Sequence, residues 1–222
     1  DVQRQNILDL AGMDGAVPVR GPRDREPVQK GGFALIRSAF KEIPAGRREH
    51  PRQMGPRLGD AGAAHAQEQV MFITVAEIVH AEASRRYVVP SAPGKRFRKD
   101  TKVTDMLYAC YDLVEKDEDF RVMLMKIKDR YDTIINGLNL KLSLEEEFKK
   151  ISENFKNKAG VDYAASRGEY LNGIIMANYL GYEFVDAAEV IFFDKQGNLD
   201  LTRTEDVLAK RLENANRAVI PG

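Results

Sequence analysis

Arg86-Tyr87-Val88-Val89-Pro90-Ser91-Ala92-Pro93-Gly94-Lys95 is a short apolar run that gives way to a polar turn. Tyr87-Val88-Val89 has the composition of a strand, and Pro90 closes it because proline has no N–H for a ladder. The turn runs on through Arg96-Phe97-Arg98-Lys99 to Thr104-Asp105. There Leu107, Cys110, Tyr111 and Val114 begin to recur at helical spacing. A strand feeding a helix through a polar turn is the building unit of a parallel α/β sheet.

The pattern repeats outward in both directions. Phe72, Val75, Ala76 and Val79 make a helical stripe before the strand. Beyond it, Phe120, Met123, Leu124, Ile127, Tyr131 and Ile134 make another, with Gly137 as its C-cap candidate. Ser143-Leu144-Glu145-Glu146 reads as a capping box before Phe148, Ile151 and Phe155. A helix is expected from Ser166 to Leu180, stopped by Gly181. Phe184-Val185 and Ile191-Phe192-Phe193 read as strands, with a turn at Gly197-Asn198. Thr202-Arg203-Thr204-Glu205 reads as a second capping box, and Ala218-Val219-Ile220 as a final strand. Strands separated by helices predict a three-layer αβα sandwich with a largely parallel sheet.

The chain divides near residue 66. Residues 1–65 hold 9 of the 17 Gly and 6 of the 9 Pro, and Arg outnumbers Lys there 9 to 2. Without apolar periodicity, ordering the backbone costs more than burial returns. Residues 1–66 are therefore expected to be an atypical segment, disordered or not native to the rest, with one short helix near 33–41. Residues 67–222 are expected to form the folded part. Net charge is zero, which excludes an electrostatic footprint for nucleic acid or an anionic membrane. The single Cys110 sits in an apolar stripe and fits a reduced core thiol. No run reaches the roughly 20 apolar residues of a membrane span, and no signal-like apolar region opens the chain. A cytoplasmic protein is the expectation.

Three residues stand out as candidates for ligand binding. Ser91 lies past the carboxyl end of a strand, where α/β sheets bind ligands. It is either a turn residue or a donor to a carboxylate or phosphate. Thr104 opens the Leu107 helix, either as an N-cap or as a hydroxyl offered to an anion. Glu169 follows Ser166 by three residues and reads as a capping-box partner, or as a carboxylate for a substrate ammonium group. Gly168 beside it allows close approach. The basic run Lys95–Lys99 suits phosphates or an acidic substrate, or is a solvated charge run.

Tyr87 to Thr104, Ser166-Arg167-Gly168-Glu169, Asp186 after Phe184-Val185, and Asn216 to Gly222 together resemble the catalytic domain of the aspartate kinases, in the amino acid kinase family. The resemblance starts near Glu68. It implies transfer of the ATP γ-phosphoryl group to the side-chain carboxylate of L-aspartate, with Mg²⁺ bridging the phosphates, in amino-acid (lysine and threonine) biosynthesis. It implies that Glu169 holds the substrate amine while Ser91 and Thr104 line the aspartate pocket. The family's Lys-Phe-Gly-Gly-Ser/Thr-Ser and Arg-Gly-Gly-Ser-Asp motifs are not found; Lys30-Gly31-Gly32-Phe33 has similar letters in another order. No catalytic residue is assigned for that reason, and the chain reads as a substrate-side fragment, inactive alone. Another amino acid kinase, of glutamate or acetylglutamate type, and a non-catalytic interaction fragment are the alternatives. Self-association is left open.

Overall fold

A computed structural model describes the backbone of Phe33–Ala34 and of residues 59–222, with side chains from Gln67 onward. The elements in chain order are β1 (Phe33–Ala34), α1 (Gly59–His80), β2 (Tyr87–Val88), α2 (Val103–Glu115), α3 (Arg121–Gly137), α4 (Glu145–Lys156), α5 (Val161–Leu180), β3 (Glu183–Phe184), α6 (Ala187–Val190), α7 (Leu201–Leu212) and β4 (Ala218–Val219). The strands form one sheet in the order β1-β2-β4-β3, and every pairing is parallel. Tyr87 registers with Ala218, and Glu183 registers with the same residue from the other side.

Alternation along each strand sends neighbouring side chains to opposite faces. Val88 and Val219 join a large core with α1 to α5. Tyr87 and Ala218 join a smaller core with Val190, Leu208, Leu212 and Ala215, around α6 and α7. Helices cover both faces, so the architecture is the expected α/β sandwich. The expected stripes are the buried ones: Phe72, Val75, Ala76 and Val79 on α1, Leu107, Cys110, Tyr111 and Val114 on α2, and Phe148, Ile151 and Phe155 on α4. Phe155 is fully buried and meets Tyr111, Phe120 and Tyr163 edge-on, so it ties α2, α4 and α5 together. Its burial removes about 2 to 3 kcal/mol worth of apolar surface from water.

Local signals were less faithful than periodicity. Phe33–Ala34 is an edge strand paired with β2, not part of a helix. The remainder of the expected 1–66 segment lies outside the described residues up to Gly59. Gly137 is inside the last turn of α3, where its missing Cβ admits Gln69. Ser143 accepts from the Glu145 N–H but is not the N-cap, and no Glu146 reciprocates. The cap of α7 is Asp200, whose carboxylate accepts from the Arg203 N–H at 3.1 Å, so Thr202–Glu205 is not a capping box. Ile191–Phe193 is not a strand; Phe193 makes one isolated antiparallel bridge with Leu199. Gly181 does end α5 in the left-handed conformation, φ 68°.

Candidate substrate-binding site

The decisive difference concerns α5. It begins at Val161, five residues ahead of Ser166, after Gly160 at φ 102°. The Gly160 N–H donates to the Tyr111 hydroxyl at 2.8 Å, which fixes that start. Ser166 is therefore inside the helix and donates to the Tyr163 carbonyl. Glu169 lies in the third turn, where the backbone N–H groups are already bonded along the helix. It cannot be a capping-box partner, and the structural reason for a glutamate there falls away.

Gly168 is the junction. A Cβ there would lie 2.8 Å from Ala92 Cβ, 3.4 Å from Leu107 Cδ1 and 3.6 Å from Val103 Cγ1. Only glycine lets the turn after β2 and the first turn of α2 meet the middle of α5. The buried Tyr131 hydroxyl donates to the Gly168 carbonyl at 2.8 Å and holds this turn from the α3 side. Asn172, one turn further on, donates through Nδ2 to the Ser91 carbonyl at 2.7 Å. Gly222 closes the fourth side: a Cβ there would lie 3.6 Å from Val89 Cγ1, 3.9 Å from the Pro90 carbonyl oxygen and 4.0 Å from Glu169 Cγ.

The three expected site residues thus sit on segments that pack together. Ser91 is exposed on the turn after β2. Thr104 is half-buried in the first turn of α2; the N-cap is Lys102, so Thr104 does not cap. Glu169 is half-buried and has no ion-pair partner among the described residues. Burial pushes its carboxyl above the usual range, opposed by the backbone N–H groups of Glu169 and Ala92. A part-desolvated carboxylate without a cation beside it is poised to receive one.

The basic loop is less free than its sequence suggests. Arg96 grips Asp100 through two side-chain bonds of 2.8 and 2.9 Å and one backbone bond. Burial alone would raise the Asp100 carboxyl; the Arg96 bonds and the Arg130 charge outweigh it and hold it far below the usual range. The guanidinium of Arg130, almost fully buried, donates to Glu68 Oε1 at 2.6 and 2.9 Å. It also donates to the carbonyls of Gly94 and Thr101, pinning both ends of the loop. Lys95, Arg98 and Lys99 remain exposed. Sequence reading missed Glu68, Arg130 and Asn172. Asn172 could have been suspected, as a polar residue in the apolar run Leu171 to Met176; the Glu68–Arg130 pair, 62 residues apart, has no local signal.

Comparison with known proteins finds aspartate kinases. Aspartokinase 3 of Bacillus subtilis is 32% identical over 138 residues, covering 60% of this chain and 30% of that protein. The crystal structure of Clostridium acetobutylicum aspartate kinase superposes with a TM-score of 0.68 at 43% identity, covering 72% of this chain and 37% of that one. Over this span the chain is similar to part of an aspartate kinase. It spans about a third of the length of those aspartate kinases. The crystal structure of E. coli aspartokinase III, in complex with aspartate and ADP, shares the fold at 19% identity, with a TM-score of 0.56 over 72% of this chain and 39% of that one. No family model matches. Among the described residues no helix is long and apolar enough to cross a membrane.

Proposed function

We propose that residues 67–222 are the aspartate-recognising portion of a kinase that phosphorylates the side-chain carboxylate of L-aspartate with ATP. One observation carries the reading: Glu169 sits mid-helix, half-buried and without a cation among the described residues, facing the turn that carries Ser91. An α-ammonium group would satisfy that carboxylate by a charge-assisted bond. The Ser91 hydroxyl and the Thr104 hydroxyl, at the positive end of α2, suit the substrate's carboxylates. The E. coli relative, described with aspartate and ADP, supports the choice of ligands.

The residues at hand do not fit the nucleotide and metal equally well. Among the described residues no three His, Cys, Asp or Glu side chains cluster as metal ligands, and Arg96 and Arg130 are already committed to carboxylates. No step through ATP or Mg²⁺ is therefore assigned. The chain's own part is to bind and orient the acceptor, which is a large share of phosphoryl-transfer catalysis.

Separate calorimetric titrations of L-aspartate and ATP into the 222-residue chain test the proposal. Aspartate binding without ATP binding is expected. Binding of neither would favour a non-catalytic interaction fragment, and preference for L-glutamate would move the chain to another amino acid kinase.

A further inference from the structure

A second cleft lies on the other side of Asn172. It has a volume of about 180 Å³ and is walled by Met71, Phe72, Val75, Ile134 and Met176, with Gln67 and Lys95 exposed at its rim. Neither Ser91, Thr104 nor Glu169 lines it. Two side chains in its wall each keep one buried oxygen with no hydrogen-bond partner among the described residues: Glu68 Oε2 and Asn172 Oδ1. The two residues are 9% and 2% exposed. Their other polar atoms are engaged, Glu68 Oε1 by Arg130 and Asn172 Nδ2 by the Ser91 carbonyl. The second bond settles the amide orientation, so both orphans are acceptors. Unsatisfied buried acceptors are rare and call for an explanation.

We propose that this cleft binds a small aliphatic primary amine, its ammonium group on Glu68 Oε2 and Asn172 Oδ1 and its tail along Val75, Ile134 and Met176. An ammonium carries three donors and no acceptor, which matches two acceptors. Charge-assisted bonds favour it over a neutral hydroxyl. Arg96 adds no opposing free cation, because its guanidinium is held by Asp100. A cavity of about 150 Å³ accommodates benzene, so a ligand of about six heavy atoms fits. The site is independent of the aspartate reading.

The test follows backbone and Asn172 side-chain amide shifts of the full chain on titration with n-pentylammonium, 1-pentanol and pentanoate. Saturable shifts at Val75, Ile134 and Asn172 are expected with pentylammonium, with a Kd at least tenfold lower than for pentanol and no binding of pentanoate. Glu68→Gln, which turns an acceptor into a donor, should weaken pentylammonium at least tenfold. Val75→Phe, which fills the cleft without touching a polar group, should abolish the shifts. Equal affinity for the amine and the alcohol, retention of binding by Val75→Phe, or a cleft that holds only water would overturn the proposal, whether or not Glu68→Gln folds.

Discussion

Glu169 can be separated from its surroundings by a single atom exchange. Glu169→Gln keeps shape and removes charge. An ammonium–carboxylate bond contributes about 1.5–3 kcal/mol, so aspartate affinity should fall roughly tenfold to a hundredfold, read by calorimetry. Stability should move the other way. The folded state raises this carboxyl above its unfolded value, so the group's favourable contribution is complete below about pH 4.3 and is lost as pH rises through the folded value. At pH 7 the buried charge is a net cost, and Glu169→Gln should melt at the same or a higher temperature, the gap closing in acid. A lowered melting temperature at pH 7 with unchanged aspartate affinity would make Glu169 structural. Gly168→Ala tests the junction. A Cβ 2.8 Å from Ala92 must displace the turn, costing about 1–3 kcal/mol by overpacking and weakening aspartate binding as well, measured by chemical denaturation and titration.

At the scale of elements, the caps decide between sequence signals and actual ends. Asp200→Ala should destabilise by about 1 kcal/mol, about 2–4 °C in melting temperature for a chain of this size. Thr202→Ala, at an exposed position, should leave the melting curve within error. The reverse result would restore the capping box at Thr202. The helical stripes were legible because burial of Leu107, Ile127 or Phe148 imposes a period that every turn repeats. Ends were not, because one hydrogen bond sets each. The start of α5 shows the cost. Gly160 looks like a breaker, yet its N–H is held by Tyr111 from a distant helix, and no local pattern announces that. Misplacing this start by five residues made Glu169 look like a cap. Ser91, Thr104 and Glu169 could be singled out as separate polar residues, but the approach of Ala92 and Val103 to Gly168 depends on packing between segments far apart in the chain.

For the whole molecule, binding and turnover should part company. Contributors to charge stabilisation in phosphoryl transfer are each worth on the order of 10²–10⁵ in rate, and on the proposed reading the described residues act on the acceptor alone. A coupled ADP-release assay with L-aspartate, ATP and Mg²⁺ should detect no turnover by the 222-residue chain. A rate near the roughly 10 s⁻¹ common among enzymes would mean that the 222-residue chain holds its own phosphate-binding groups and would overturn the prediction.

The sheet order carries a consequence for how the chain acquires its shape. β2 and β4 are neighbours in the middle of the sheet, yet the bond from Arg86 to the Asn216 carbonyl joins residues 130 positions apart. Helices α2 to α5 lie wholly between them and contact one another through shorter chain separations, such as the 49 residues between Tyr111 and Gly160. Loop closure must be met before a distant pairing is rewarded, whereas local helix contacts form early. Refolding should therefore pass through a clustered set of helices before the strands zip together. Amides of α3 and α4 should gain protection ahead of Val88 and Val219 in a pulsed exchange experiment. Since Ser91 is positioned by β2 and Gly222 by β4, the surroundings of Glu169 would be the last part of the molecule to come into being.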